Sequence, residues 1–193
     1  MKNYKNEKLE FISRVIWHNR IVANLMVLLE INIEKLPFKI PEWELTRRGI
    51  RHDLDKFEEN FPDVTISLYV DGIKNNDIAE INKRTATLKH NHGESCPHHI
   101  EYHTKNNIPF SNLDICEICC DWIASSQKPR FKDQYSLQDM KKIKEDFLSI
   151  MIDKNPILEN YRSDFISIFN LFENLNALSI IIPYKKFEFA YEI

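Results

Sequence analysis

The sequence predicts an all-α helical bundle, and three observations carry that expectation. Only 3 glycines occur in 193 residues, too few for a turn-rich β architecture. Apolar residues recur at steps of three and four through most of the chain, the spacing of one helix face. Prolines and Ser/Asp pairs of the capping type punctuate these runs where helices should stop and start. With 43% hydrophobic and 28% charged residues, the chain can bury one sizeable core, so one domain over residues 1–193 is expected.

The first helix is expected from about Asn6 to Lys35, with Phe11, Val15, Val22, Leu25 and Leu29 on its apolar stripe and His18 within the same stripe. Pro37 and Pro41 end it and open a second helix, carrying Trp43, Leu45 and the pair His52-Asp53. A short apolar stretch, Val64 to Val70, precedes a helix from about Asn76 marked by Ile78, Ile81, Thr85 and Leu88. Continuing its steps lands on His92 rather than His90, so His92 should face the core side and His90 the solvent. Ser111 followed by Asp114 reads as a capping box for a helix that runs through Trp122. Ser136 with Asp139 reads as the cap of the next, and Pro156 starts one more, with Tyr161, Phe165, Phe169 and Phe172 on its stripe. The period changes at the end. Phe187, Phe189, Tyr191 and Ile193 alternate, and with Ile180-Ile181-Ile182 they suggest a small β-hairpin appended at about 179–193.

Composition also excludes some functions. Neither GxGxxG nor GxxxxGK[ST] is present, so a bound nucleotide is not held by a Rossmann or Walker-type loop. A formal net charge of −3 argues against extended nucleic-acid binding. No apolar run suits a signal peptide or a membrane span, which points to a cytoplasmic protein. There the 4 cysteines, Cys96, Cys116, Cys119 and Cys120, are expected as thiols or metal ligands rather than disulfides.

Chemistry concentrates in the histidines. Five of the 7, His90, His92, His98, His99 and His103, lie between Lys89 and Thr104, a clustering typical of metal sites. An imidazole beside a carboxylate, as in His52-Asp53, offers one nitrogen and one oxygen ligand. Glu117 and Asp121 are four apart and share a helix face among apolar neighbours, so they call for a cation or a metal. A single histidine on an apolar face, such as His18, is more often a core residue; the combined pattern is what gives it weight.

In order, the chain offers His18, His52-Asp53, His92, His98-His99 and Asp121. This resembles the HD superfamily of metal-dependent phosphohydrolases, with a histidine, a His-Asp doublet, further histidines and a final aspartate. A lysine at the third position after the doublet, here Lys56, is similar to the branch that includes cyclic dinucleotide phosphodiesterases and dinucleoside polyphosphate hydrolases. The likeness is closer to an uncharacterised, phage-rich HD-like family with the pattern RG..HD.SKF, H...N.HH..Y and E...DW. Arg48-Gly49, His52-Asp53, Lys56-Phe57, His92, His98-His99, Tyr102, Glu117 and Asp121-Trp122 match it. Asp55 stands where serine is usual, and Cys96 where asparagine is usual.

The resemblance implies an HD-like helical bundle and a phosphohydrolase acting on a nucleotide or related phosphate ester. It implies that His18, His52, Asp53 and Asp121 hold one metal and that His92, His98 and His99 hold a second, with Asp53 bridging. Mixed imidazole and carboxylate ligands suit one or two ions of Mn²⁺, Fe²⁺, Ni²⁺, Co²⁺ or Zn²⁺. Lys56 would then offset phosphoryl charge, Glu117 would orient a ligand or accept a proton, and Lys128 and Arg130 would bind a further phosphate. The partner expected is therefore a small phosphate ester or nucleotide, with a homodimer allowed and no membrane. Two other readings are carried: a protein that sequesters a nucleotide without turnover, and an interaction protein with structural zinc on Cys116 and Cys119 with Cys96 and His98 or His99.

Overall fold

The computed structural model describes residues 5–57, 86, 90–127 and 139–181, which are predominantly helical with no strand among them. In chain order the helices are α1 (Lys5–Ile31), α2 (Glu44–Arg51), α3 (Ile100–Asn106), α4 (Asn112–Ser126), α5 (Met140–Phe147) and α6 (Arg162–Asn174). A further helical segment covers 90–95, and 3₁₀ turns occupy Ile33–Lys35, Leu54–Phe57, Pro156–Tyr161 and Ala177–Ile180. The chain divides into two compact units, Met1–Trp17 with Asp53–Pro109, and His18–His52 with Phe110–Ile193. Among the described residues, no helix is long and apolar enough to cross a membrane.

In the second unit, α1 buries His18, Ile21, Val22, Leu25, Met26 and Leu29, a stripe at helical spacing. Each such leucine or isoleucine contributes about 1.5–3 kcal/mol when fully buried. Glu30 at the end of this stripe holds the start of α2, accepting from the backbone N–H of Trp43 (2.8 Å) and of Thr46 (3.2 Å). Gly49 then lets α2 lie close on α1. A Cβ there would stand 2.8 Å from Met26 Cβ and 3.1 Å from Ala23 Cα, neither of which is the free end of a side chain.

Gly49→Ala should therefore lower stability by about 1–3 kcal/mol, the usual cost of overpacking, despite the better helix propensity of alanine. Urea denaturation measures it. An unchanged or raised midpoint would mean that α2 can move off α1 freely.

Helix α4 is the buried element of this unit: Ile115, Cys116, Ile118, Cys119, Cys120, Ile123 and Ala124 are all inaccessible or nearly so. It starts in a capping box, with Ser111 Oγ accepting from Asp114 N (3.2 Å) and Asp114 Oδ2 accepting from Ser111 N (2.9 Å). Trp122 closes its other end by donating from Nε1 to the Ile143 carbonyl of α5 (3.2 Å) and meeting the Phe147 ring edge-on. Phe147 in turn packs on Phe165 and Phe169 of α6, with ring centroids 4.9 and 5.0 Å apart.

In the first unit, His103 on α3 ties down the loop that carries His98 and His99. Its Nε2–H donates to the Pro97 carbonyl at 2.7 Å, since a carbonyl can only accept, and Nδ1 lies 3.3 Å from the Ile108 carbonyl.

Several expectations need correcting. The second helix does not carry the doublet: α2 ends at Arg51, His52 is its C-cap, and Asp53 takes a left-handed conformation (φ 55°) before a 3₁₀ turn. Trp43 likewise lies outside α2, as its N-cap, and is exposed. The helix expected from Ser136 begins at Met140, because the Asp139 carboxylate accepts from Lys142 N (2.7 Å) and is its N-cap. Ser136, the stretch from Val64 to Val70, most of the helix from Asn76 to Leu88, and Lys128 and Arg130 lie outside the described residues, as does the hairpin beyond Ile181. Ser179 and Ile180, where that hairpin was to begin, end a 3₁₀ turn.

Candidate metal centre

Among the described residues, each unit contains a cluster of metal-ligating side chains that takes in one member of the doublet. The first cluster joins His18, His52 and Asp121. His18 comes from the buried stripe of α1, His52 from the C-cap of α2, and Asp121 from the third turn of α4. His18 Nε2 lies 2.9 Å from Asp121 Oδ1 and 3.3 Å from His52 Nε2, and His52 Nε2 lies 3.8 Å from the same oxygen. Ligands held about 2.0–2.1 Å from a tetrahedral ion stand about 3.3 Å apart, so these three atoms already outline one face of such a coordination sphere. Both histidines are buried, while the Asp121 side chain keeps 27% of its exposure and opens the cluster to solvent.

Behind His52 stands a buried polar chain. Its Nδ1 lies 2.9 Å from Glu117 Oε1, which requires an N–H there and leaves the Nε2 lone pair for a metal. Glu117 Oε2 accepts from Arg48 Nε (2.5 Å), and Arg48 Nη2 donates to Asp114 Oδ1 (2.6 Å). The guanidinium thus bridges two buried carboxylates in fork geometry, and the capping aspartate of α4 does two jobs with its two oxygens.

The second cluster joins Asp53, His92, His98 and His99. Asp53 Oδ1 lies 3.1 Å from His92 Nε2 and 3.4 Å from His98 Nε2, and the His98 and His99 rings are 4.2 Å apart. Lys56 Nζ pairs with the other oxygen, Asp53 Oδ2. Asp53 immediately precedes the 3₁₀ turn, and its carbonyl accepts from Lys56 N (3.1 Å), which keeps the two residues close. Asp55 Oδ2 lies 2.6 Å from His92 Nδ1, and Cys96 Sγ 3.4 Å from the same nitrogen. The two departures from the resembled pattern therefore meet at one atom. His90, in contrast, is exposed and pairs with Glu94 at 3.1 Å, and His103 serves the loop as described above.

The electrostatics of the second cluster suit a cation. Burial alone would lower the pKa of His92, but hydrogen bonds to Asp53, Asp55 and Cys96 outweigh it and push it up to about 11 in the metal-free protein. Burial would raise Asp55, but its hydrogen bond to His92 holds it below the usual carboxylate value.

Two results are expected. A folded-state pKa raised from 6.5 to about 11 contributes stability present in full below pH 6.5 and lost as pH rises through 11, so the thermal midpoint of the metal-free protein should fall between pH 7 and 10. Metal binding at pH 7 must also expel the His92 proton, so titration calorimetry in buffers of different ionisation enthalpy should register its release. Binding heat that is independent of the buffer would show His92 to be no ligand.

The sequence-predicted ligands thus fall into two groups, with Asp53 beside His92, His98 and His99, and His52 beside His18 and Asp121. Arg48, Asp114 and Asp55 were not singled out as site residues. Their signals were the Arg-Gly before the doublet, an acid already accounted for as a cap, and a mismatch to the resembled pattern. Of the cysteines, Cys116, Cys119 and Cys120 are buried on α4, and burial pushes their thiols well up. None of the three belongs to a cluster that can hold a metal among the described residues.

The fold and site describe an all-α protein with buried His/Asp/Glu groups that can hold a metal ion. Residues 7–163 match the model of a family of unknown function, DUF5662, and the chain belongs to that family. Neither the comparison with curated proteins nor that with solved structures gave a match.

Proposed function

We propose that the chain is a metal-dependent phosphohydrolase of the HD type, acting on a nucleotide or a related phosphate ester. The observation that carries this reading is the convergence of His18 Nε2, His52 Nε2 and Asp121 Oδ1 within 2.9–3.8 Å, from three helical elements, with Glu117 fixing the tautomer of His52. One ion would sit in this cluster and one on Asp53, His92, His98 and His99. The donors are imidazole nitrogen and carboxylate oxygen, which fit Mn²⁺, Fe²⁺, Co²⁺, Ni²⁺ or Zn²⁺. A cation so held supplies a water acidified toward a pKa of about 7 and charge to offset the phosphoryl oxygens.

The chain's own groups then have distinct tasks. Glu117 orients His52 and is itself held by Arg48, so the imidazole does not have to reorganise during turnover. Lys56 places a cation beside Asp53 and can turn toward an anionic oxygen of the substrate. Asp121, the solvent-facing member, marks the side from which a phosphate ester approaches.

Metal analysis of protein purified without chelators, followed by a screen of phosphate esters, tests the reading. Stoichiometric transition metal with turnover of at least one ester, lost on chelation, is the expected result. Metal with tight nucleotide binding and unchanged ligand would instead indicate sequestration. Protein that takes up no divalent metal would end both readings.

A further inference from the structure

His92 carries a second set of donors on its other ring nitrogen. Asp55 Oδ2 lies 2.6 Å and Cys96 Sγ 3.4 Å from Nδ1, and one donor atom from each of the three side chains falls within 4.8 Å of the others. Around a tetrahedral ion with bonds of about 2.0–2.1 Å to nitrogen or oxygen and about 2.3 Å to sulfur, neighbouring ligands stand about 3.3–3.6 Å apart. The N···S separation is already such an edge, and the N···O pair would open by less than about 1 Å. Cys96 is half-buried and the Asp55 side chain keeps 30% of its exposure, so an ion can enter from solvent.

We propose that Asp55, His92 and Cys96 form a site for a thiophilic ion such as Zn²⁺ or Cd²⁺, and that filling it excludes His92 from the Asp53 cluster. Thiolate sulfur selects softer ions, whereas the Asp53 cluster offers only nitrogen and oxygen. A neutral imidazole has one lone pair to give. If Nδ1 binds an ion, the ring proton sits on Nε2, which then donates to Asp53 instead of ligating beside it. On binding, the Cys96 thiol proton and the proton on His92 Nδ1 leave to solvent. The two sites therefore compete for one side chain, and a thiophilic ion would strip a harder one from the Asp53 cluster.

The test uses metal ions alone and is independent of any hydrolytic activity. Co²⁺-loaded protein should show a thiolate-to-cobalt charge-transfer band, lost in Cys96→Ser while the cobalt held by nitrogen and oxygen ligands stays. Adding Cd²⁺ to Mn²⁺-loaded protein should release Mn²⁺ from the wild type and leave it bound in Cys96→Ser. No thiolate band in the wild type, or a band that survives Cys96→Ser, overturns the proposal. So does Mn²⁺ release that is equal in the two proteins.

Discussion

Arg48→Met should lower stability by about 3–5 kcal/mol, the cost of removing one partner from a buried ion pair. Methionine keeps much of the stem and removes the guanidinium, so the loss is electrostatic rather than a cavity. It leaves Asp114, at 6% exposure, and Glu117, at 1%, without the cation that serves them both. Glu117 would no longer be held against His52, and metal affinity should fall about 10–100-fold, as for other groups that orient a ligand. Arg48→Lys separates charge from geometry: an ammonium can meet one carboxylate but cannot span both as the planar fork does. Its stability should fall between the two. Urea denaturation and metal titration read both effects, and a wild-type midpoint in Arg48→Met would show that the chain from Asp114 to His52 carries no weight.

Lys56→Met should keep fold and metal while lowering kcat about 10²-fold or more, the scale of removing one preorganised electrostatic group. The expectation rests on where the lysine sits. Its ammonium pairs with Asp53 Oδ2, while Asp53 Oδ1 faces His92 and His98. The cation thus lies beside the ligand set without belonging to it and is placed to meet an anionic oxygen there. If Lys56 merely neutralised the buried Asp53 carboxylate, its loss would register in stability and turnover would not notice it. Unchanged kcat in Lys56→Met, for any ester the wild type hydrolyses, would settle the matter that way.

Much of the helical layout was legible in the residues. The stripe through Val22, Leu25 and Leu29 is buried because steps of three and four bring side chains to one side of any α-helix, and His18 shares that side for the same reason. The Ser111–Asp114 box was equally readable, since a cap is made within four residues. Position on a face is a local property, and the sequence carries local properties openly.

Partnership is different, because it depends on which faces meet. Periodicity put Glu117 and Asp121 on one side of α4 without saying that the first would hold the far nitrogen of His52 and the second would stand by His18. Nor did it reveal that Asp114 would spend its second oxygen on Arg48, 66 residues away. The His52-Asp53 doublet looked helical because nothing local forbids it. A left-handed turn at Asp53, tolerated by aspartate more readily than by most residues, instead assigns the two side chains to different ligand clusters. By itself, then, the sequence determined that the described residues are mostly helical, which face of α1 and of α6 is apolar, and most of the side chains that could bind a cation. Only the tertiary structure decided how those side chains are grouped, because burial makes each charged or polar group take partners that distant elements supply, and sequence spacing does not encode that choice.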